Sequence, residues 1–321
     1  MTGAPGRPEV TSSHAKGAWQ ASHVRVAIIG NFDGVHGGHR ALVRRARERA
    51  GQGAVVAVTF DPHPAAVLRP ESAPDRLVSI ERRVDLLREA GVDEVVVLAF
   101  TPELAARSPR EFATMLRDSP EIAADVVMVG DNFRFGARAA GDTATLTELG
   151  RELGFEVDVV PLVSEEIPGD SDGPWSSTRV RARIAAGDLR SARAILGRPH
   201  RLEGVVVLGD QRGRELGYPT ANVAVEAGTS IPPDGVYAGY LVVGDQVYPS
   251  AISIGTNPQF AGTERRVEAY AMGRDDLDLY GQRVGVDLVE RLRGQAVFDT
   301  VEDLVAQMTR DVAGAQAALS G

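Results

Sequence analysis

The chain has 321 residues, of which 43% are apolar and 25% charged, the composition of a globular protein with room for two ordinary domains. Its 35 basic and 44 acidic side chains leave a net charge of −9, which disfavours nucleic-acid binding through a basic surface. It contains no cysteine and a single lysine, Lys16. Thiol catalysis, cysteine-ligated metals and disulfides are therefore excluded, and so is a P-loop, which needs a lysine after its glycines.

Residues 1–23 are rich in Gly, Pro, Ser, Thr and Ala and carry no apolar core segment. Nothing in them predicts a signal peptide, and the longest apolar runs of the chain are of strand length, far too short for a membrane span. We therefore expect a flexible tail over residues 1–23 and a cytoplasmic protein that binds neither nucleic acid nor membranes.

From residue 24 to about residue 155, short apolar runs alternate with amphipathic segments. The runs are Val24–Ile29, Ala54–Phe60, Val95–Phe100, Val126–Val129 and Val157–Pro161. Continuous apolar runs of this length are typical of buried parallel strands. Between two of them a helix start is predicted at Ser108, with Pro109 at the first helical position and Glu111 completing a capping box. The alternation predicts an α/β domain with an open parallel sheet wrapped by helices.

After about residue 201, β-rich runs follow one another without room for helices. They are Gly204–Leu208, Val236–Val243, Val247–Ile254, Arg266–Met272 and Arg283–Val289. This pattern predicts an antiparallel barrel or sandwich. One helix closes the chain, and we expect Asp299 to cap it, with Glu302 completing a capping box. The boundary between a domain of residues 24–198 and one of residues 199–321 is placed just after a helical segment, Leu189–Leu196.

The sharpest motif follows the first strand and reads Gly-Asn-Phe-Asp-Gly-Val-His-Gly-Gly-His over residues 30–39. Its glycines allow a tight turn, and a helix is expected to begin near Gly38. The amino terminus of a helix offers free N–H groups and the positive end of its dipole, which together form an anion site. His36 and His39 are three residues apart and share one side of the turn. They are therefore candidates for donating hydrogen bonds to a phosphate as negative charge grows on it.

Three further segments of the first half carry candidate ligands. Ser176-Ser177-Thr178-Arg179-Val180-Arg181 combines hydroxyl groups with arginine forks, which suit the β- and γ-phosphates of ATP. The other two segments are Thr59–Pro64, which contains His63, and Val129–Gly136, which contains Asn132, Phe133 and Phe135. Because the last segment directly follows a strand, it is interpreted as a substrate loop, although its aromatic residues are equally typical of a core.

The second half carries glycines at four-residue spacing, Gly209, Gly213 and Gly217, followed by Thr220 and Asn222. The glycines alone are typical of hairpin turns. The hydroxyl and the carboxamide oxygen lie two residues apart and hence on one side of an extended chain, where they suit a Mg²⁺ ion that keeps its waters and nucleotide phosphates. Glu268 stands in an otherwise apolar or aromatic strand. It is either a solvated acid of an edge strand or, near a nucleotide, a general base.

In this order, the motifs resemble those of the bacterial bifunctional riboflavin kinase/FAD synthetase family over about residues 24–319. The first half resembles its FMN adenylyltransferase domain, which carries the G-x-F-D-x-x-H-x-G-H signature of the nucleotidylyltransferases. The second half matches the riboflavin kinase motifs at Gly213–Asn222, Gly235–Ala238, Ile254–Pro258 and Asp278–Gly281. The resemblance implies an open Rossmann-like α/β domain followed by a six-stranded barrel. It also implies ATP with Mg²⁺ in both sites, and riboflavin, FMN and FAD as substrates and products.

The same resemblance implies a role for each candidate residue. Glu268 is the general base of the kinase, and His36 and His39 are catalytic in the adenylyltransferase. Thr220 and Asn222 hold the metal ion. ATP is bound by Gly30, Phe32, Ser177, Thr178, Arg181, Gly209, Gly213 and Gly217. Flavin is bound by Asn132, Phe133, Phe135 and His63.

The chain departs from the family at three places. Trp175 precedes Ser-Ser-Thr where a smaller aliphatic residue is usual, Gln259 stands in place of a threonine, and Ala271–Arg274 replaces a common Leu-Leu-Asp-Phe. The alternatives are a paralogue with one activity or a modified flavin as substrate, and a flavin- or nucleotide-binding regulator. Such a regulator would be expected to lose Glu268 or the histidine pair, and both are present. The sequence does not predict an oligomeric state.

Overall fold

The computed structural model describes residues 24–161, 173–209, 216–256 and 265–320. These residues form an open parallel sheet wrapped by helices, a closed antiparallel barrel, and one long carboxyl-terminal helix. Within this part of the chain, no helix has both the length and the apolar character needed to span a membrane.

The sheet of the first domain has five parallel strands in the order β3-β2-β1-β4-β5, as the alternating apolar runs predict. The strands are β1 (Val26–Ile29), β2 (Val55–Asp61), β3 (Glu94–Ala99), β4 (Val126–Gly130) and β5 (Glu156–Val160). Neighbouring residues of β1 enter two different apolar clusters, one on each face of the sheet, which is why the strand is apolar throughout. The strand order reverses at β1, between β2 and β4, and ligands of such sheets bind in the crevice beyond the strand ends at this point.

Eight α-helices of the described residues surround this sheet or follow it. They are α1 (Gly37–Ala50), α2 (Pro64–Leu68), α3 (Ile80–Glu89), α4 (Pro102–Ala105), α5 (Pro109–Asp118), α6 (Thr143–Leu153), α7 (Ser177–Ala185) and α8 (Leu189–Leu196). The capping box predicted for α5 is confirmed, because Ser108 accepts a hydrogen bond from the Glu111 N–H while the Glu111 carboxylate accepts one from the Ser108 N–H. The helical segment predicted before the boundary is α8.

The second domain is a closed six-stranded barrel in the order β10-β7-β6-β11-β8-β9, with every pair antiparallel. Its strands are β6 (His200–Val207), β7 (Ala221–Val225), β8 (Gly235–Val243), β9 (Gln246–Thr256), β10 (Arg265–Ala271) and β11 (Arg283–Arg293). Of these, β7 is absent from the runs read by pattern, because it has only five residues and Asn222 interrupts its apolar side chains.

The closing helix, α9 (Val301–Leu319), corrects one expectation. Its cap is Thr300 and not Asp299, because the helix begins one residue later than predicted. The Thr300 hydroxyl accepts a hydrogen bond from the Asp303 N–H at 3.1 Å. Further along, the buried Asp311 forms a two-pronged ion pair with Arg293 of β11, at 2.8 and 2.6 Å, which fixes the helix to the barrel.

The two domains meet along the segment that precedes α3. Arg76 pairs with Thr229 as an isolated parallel bridge, and its guanidinium lies 2.8 Å from the Glu226 carboxylate. Ser79, the cap of α3, donates a hydrogen bond of 2.6 Å to Glu203 of β6. The Leu77 N–H of the same segment donates a hydrogen bond to Asp33 of the β1–α1 loop. The barrel and this loop therefore share one structural support.

Candidate functional site

A cleft of about 1310 Å³ opens beside β1, at the switch point of the sheet. All the candidate residues of the first domain line it, although they come from four separate motifs. They are Gly30, Phe32, His36, His39, His63, Asn132, Phe133, Phe135, Ser177, Thr178 and Arg181. The fold thus brings together the motifs that the sequence spreads over 150 residues.

The loop between β1 and α1 is held in an unusual backbone conformation. Phe32 and Val35 have positive φ angles of 48° and 40°, and Gly34 has one of 83°. Such angles are strained for a β-branched residue, and they persist only where packing enforces them. Here the Phe32 and Val35 side chains are fully buried and supply that packing. The consequence is a sharp turn that places His36 at the residue before α1, without a capping hydrogen bond from its side chain.

His36 and His39 form a stacked pair at the bottom of this turn. Their ring centroids are 3.7 Å apart with an interplanar angle of 24°. Burial, followed by the charge of Arg198, lowers the pKa of His36 to about 4. Burial, followed by the neighbouring His36, lowers the pKa of His39 well below its ordinary value. Both rings are thus neutral at pH 7, and each Nδ1 is buried without a partner among the described residues.

The amino termini of two helices face the cleft together. His36 and Gly38 bring the start of α1 to its wall, and Ser177 and Thr178 bring the start of α7. The Ser177 hydroxyl donates a 2.8 Å hydrogen bond to the Asp33 carbonyl oxygen, which joins the start of α7 to the loop before α1. Two sets of free N–H groups and two positive dipole ends at one place make a strong anion site.

Arg181 lines the cleft and is held there by Asp33. The sequence motif alone indicated no role for Asp33. Asp33 is buried, accepts a hydrogen bond from the Leu77 N–H at 3.1 Å, and forms an ion pair with Arg181. The Arg181 Nε also donates to the Asp75 carbonyl oxygen at 2.6 Å. The guanidinium is therefore fixed at the cleft wall. The signal that could have indicated this pair is Asp33 itself, the one acidic residue in the ten-residue motif of residues 30–39.

Arg83 is a second functional candidate that sequence reasoning missed. It is 2% exposed and donates a 3.0 Å hydrogen bond to the Phe60 carbonyl oxygen at the end of β2. Its positive charge contributes to the lowered pKa of His39. No motif marks it, because it is one of many arginines on amphipathic helices and only the tertiary structure places it near the histidines.

The predicted flavin ligands lie in the same cleft in different settings. His63 caps α2, with Nδ1 accepting from the Ala65 N–H at 3.1 Å, and its Nε2 lies 3.1 Å from the Asn31 Nδ2. Phe133 and Phe135 stack at 5.5 Å. Phe135 is also a core residue, packed on Phe112, and Asn132 is exposed. Their roles toward flavin stay predictions.

A smaller pocket lies in the barrel domain, with Gly209, Thr220, Asn222 and Arg274 on its wall. Gly209 packs on the Asn222 side chain so closely that a Cβ at residue 209 would overlap the amide. Gly217 has a φ of 85°, in the left-handed region that glycine favours. The third glycine of the series, Gly213, and the departure at Gln259 lie outside the described residues.

Glu268 lies on β10 directly opposite Asn222 of β7 and Ser253 of β9. Its neighbours Val267 and Ala269 are buried in the barrel core, so Glu268 lies on the outer face. Both sides of β10 are paired in the closed barrel, so Glu268 does not lie on an edge strand, and its role as a general base stays a prediction. The result is a cross-strand polar row, defined here as Asn222, Glu268 and Ser253, that runs over the surface of the barrel.

The oxygen atoms near this row suit one kind of metal site. In the described part of the chain, no three His, Cys, Asp or Glu side chains come together as a metal cage. The available hard ligands are the Thr220 hydroxyl, the Asn222 carboxamide and the Glu268 carboxylate. They are too few to replace all the water molecules bound to a cation. They fit Mg²⁺, which keeps several waters and binds nucleotide phosphates.

Two family models match the chain, one for each domain. The model described as FAD synthetase matches residues 19–171, and the model described as riboflavin kinase matches residues 196–319. The fold and the two pockets therefore define a two-domain protein that joins an FAD synthetase domain to a riboflavin kinase domain.

Relatives that carry both domains are similar over most of the chain. The bifunctional riboflavin kinase/FMN adenylyltransferase of Escherichia coli K12 is 36% identical, with 89% of this chain and 90% of that protein covered. The protein of the same name from Pseudomonas fluorescens is 37% identical, with 91% and 92% covered. A crystal structure titled as a macrolide-efflux protein of Streptococcus pneumoniae matches with a TM-score of 0.80 and 32% identity, with 92% and 94% covered. This chain belongs to the bifunctional riboflavin kinase/FMN adenylyltransferase family.

Proposed function

We propose that the chain catalyses two successive reactions. The barrel domain phosphorylates riboflavin with ATP to give FMN and ADP, and the first domain joins FMN to AMP from a second ATP to give FAD and pyrophosphate. The observation that supports this most strongly is that one chain retains both sets of polar groups. These are the histidine pair at two helix amino termini and the polar row around Glu268.

In the barrel domain the 5′-hydroxyl oxygen of riboflavin attacks the γ-phosphorus of ATP, and the bond to the β-phosphate oxygen breaks. An alcohol is a poor nucleophile at neutral pH, so Glu268 accepts the hydroxyl proton as the new bond forms. Thr220 and Asn222 hold Mg²⁺, which when bound offsets the negative charge of the phosphates. Gly209 keeps the space that the Asn222 amide needs.

In the first domain a phosphate oxygen of FMN attacks the α-phosphorus of ATP, and pyrophosphate leaves. The attacking phosphate is already an anion, so this reaction needs no base. It needs alignment and donors where charge grows. The neutral rings of His36 and His39 each carry one N–H group, and Ser177, Thr178 and Arg181 extend the donor surface toward the β- and γ-phosphates of ATP.

The remaining residue assignments follow the same division. Gly30, Phe32, Gly213 and Gly217 serve ATP binding, and Asn132, Phe133, Phe135 and His63 serve the flavin. We place both reactions in the cytoplasm, without nucleic-acid or membrane partners, and the domain boundary near residue 198.

Incubation of the full-length protein with riboflavin, ATP and Mg²⁺ tests the proposal, with flavins separated by chromatography over time. FMN should appear first and FAD should follow, with pyrophosphate released only in the second step. FMN that accumulates without FAD would support the paralogue with one activity. Binding of flavin and ATP without any product would support the regulator instead.

A further inference from the structure

Trp175 occupies the place where α1 and α7 meet. It directly precedes Ser176, the cap of α7, and its ring packs against the apolar cluster that α7 and α8 share with Leu77. Its other side lies on Gly37, the first residue of α1. The indole thus connects a rigid helical pair to the start of the helix that carries the two histidines.

The contact with Gly37 leaves no spare room. A Cβ built on Gly37 would overlap the indole ring, so no other residue fits without moving either the tryptophan or the helix start. Gly37 stands at a variable position of the ten-residue signature, between His36 and Gly38. The missing side chain of Gly37 and the large ring of Trp175 therefore complement each other.

Polar bonding does not account for the placement of Trp175. Its Nε1 is buried, and no acceptor for the indole N–H is found among the described residues. Burial of an unpaired donor is unfavourable. The ring is thus held by packing alone. Besides the α7–α8 cluster, this packing includes the contact with Gly37 at the start of α1.

We propose that Trp175 and Gly37 act as one unit that positions the amino terminus of α1 in the adenylyl-transfer site. The indole fixes the height of the Gly37–Gly38 backbone relative to α7, so that the N–H groups of α1 and the His36–His39 stack meet the leaving pyrophosphate. Trp175 is a positioning residue, and this inference rests on the proposed function of the first domain.

A double-mutant cycle tests the unit, with kcat/KM for FAD formation from supplied FMN as the readout. Gly37→Ala should lower it at least tenfold, because small misplacements of reacting groups are costly. Trp175→Leu should lower it severalfold by loosening the helix start. In the Gly37→Ala/Trp175→Leu protein the clash is gone, so its activity should return to within about threefold of Trp175→Leu alone.

The matched control is riboflavin phosphorylation by the same samples, which should stay unchanged. Effects of the two substitutions that simply multiply, or a Trp175→Leu protein with wild-type FAD synthesis, would overturn the inference. If Gly37→Ala does not fold, Trp175→Phe decides, since it retains most of the ring and should be clearly more active than Trp175→Leu. A wild-type protein that makes no FAD would instead refute the proposed function.

Tryptophan emission gives a second readout, because Trp175 lines the cleft of the first domain. Pyrophosphate is the probe, since it is a product of the adenylyl transfer alone. In a Trp19→Phe background, Trp175 is the only tryptophan. Its emission should change on addition of Mg-pyrophosphate and saturate at the concentration that inhibits FAD formation by half. Unchanged emission at inhibiting concentrations would overturn the proposal.

Discussion

Two histidine rings stacked at 3.7 Å cannot both be cations, because their charges would repel each other in a site with little water. Burial and the surrounding guanidinium groups keep both rings neutral. A neutral imidazole has one N–H to donate and one nitrogen to accept. In the proposed mechanism the pair therefore acts by directed hydrogen bonds, and the positive charge of the site comes from arginine and the helix termini.

Replacement of either histidine should damage one reaction only. His36→Ala or His39→Ala should lower FAD formation by roughly 10²–10³, the scale for losing one transition-state donor. FMN formation should stay near wild type, because the pair lies in the first domain. Both rates are measured by flavin chromatography on one sample. An equal loss of both products would point to misfolding.

Glu268 gives the corresponding prediction for the barrel. Glu268→Gln retains the size of the side chain but cannot accept the proton, so riboflavin phosphorylation should fall by roughly 10²–10⁴ while ATP binding is kept. Asn222→Ala should instead raise the Mg²⁺ or ATP concentration needed. Neither substitution should slow the formation of FAD from supplied FMN. A Glu268→Gln kinase rate within about twofold of wild type would remove Glu268 from the mechanism.

Among the elements, the parallel strands and the start of α5 could be predicted because their signals are local. Apolar runs and the Ser108 capping box each depend on a few adjacent residues. The strand β7 and the cap at Thr300 were missed, since a five-residue strand with a polar centre and a shift of one residue leave weak patterns.

Within the site, the motif residues could be predicted from their spacing. The roles of Arg83 and of Asp33, the partner of Arg181, could not. Arg83, on a helix with no motif, influences the pKa of His39 through its charge, and Asp33 gains its contacts only when residues 77 and 181 fold back on it. Such contacts join distant parts of the chain, and no local pattern records them.

Gly209, in the loop after β6, packs on the side chain of Asn222 in β7, and this contact gives a prediction. Gly209→Ala should lower riboflavin phosphorylation at least tenfold, because the added Cβ would displace the Asn222 amide. Gly314→Ala is the matched control. Its Cβ would meet nothing closer than 3.7 Å in the helix α9, where alanine is favoured over glycine by up to about 1 kcal/mol. Equal activities of the two proteins in a kinase assay would contradict the account of Asn222.

In the whole molecule, the two domains share supports for the histidine site. Arg198, just after α8, donates a 2.6 Å hydrogen bond to the Gly34 carbonyl oxygen in the strained loop, and burial lowers its pKa to about 10. The segment before α3 binds both Asp33 and the barrel. The barrel thus contacts the segment that holds Asp33, while the histidine pair and the polar row around Glu268 each lie within one domain.

Buried neutral histidines in both domains make stability depend on pH. The pKa of His36 and of His200 is about 4 in the folded protein, and that of His39 is also lowered, against an ordinary value of 6.5. Between these values the unfolded chain binds protons that the folded one does not. Stability is therefore full above about pH 6.5 and falls as the pH decreases toward 4.

The expected slope reaches about 1.4 kcal/mol per pH unit for each of the three histidines. Urea unfolding at pH 7.5, 6.5, 5.5 and 5.0 measures it. A His36→Ala/His39→Ala protein is the control and should show a shallower slope. Carboxylates with a lowered pKa, such as Asp93, lose their contribution only at more acidic pH. An unfolding free energy that is constant from pH 7.5 to 5.0 would contradict the neutral burial of these rings.

The central claim is that one chain holds two independent sites for consecutive reactions, and a comparison of two single-site proteins tests it most directly. His39→Ala and Glu268→Gln are each supplied first with riboflavin and then with FMN, in the presence of ATP and Mg²⁺, and the flavins are followed by chromatography. The account predicts that His39→Ala converts riboflavin to FMN and stops, that Glu268→Gln leaves riboflavin unused but converts FMN to FAD, and that the mixture restores the full sequence. If both proteins lose both reactions, or if either substitution leaves its own reaction intact, the assignment of two separate sites is contradicted.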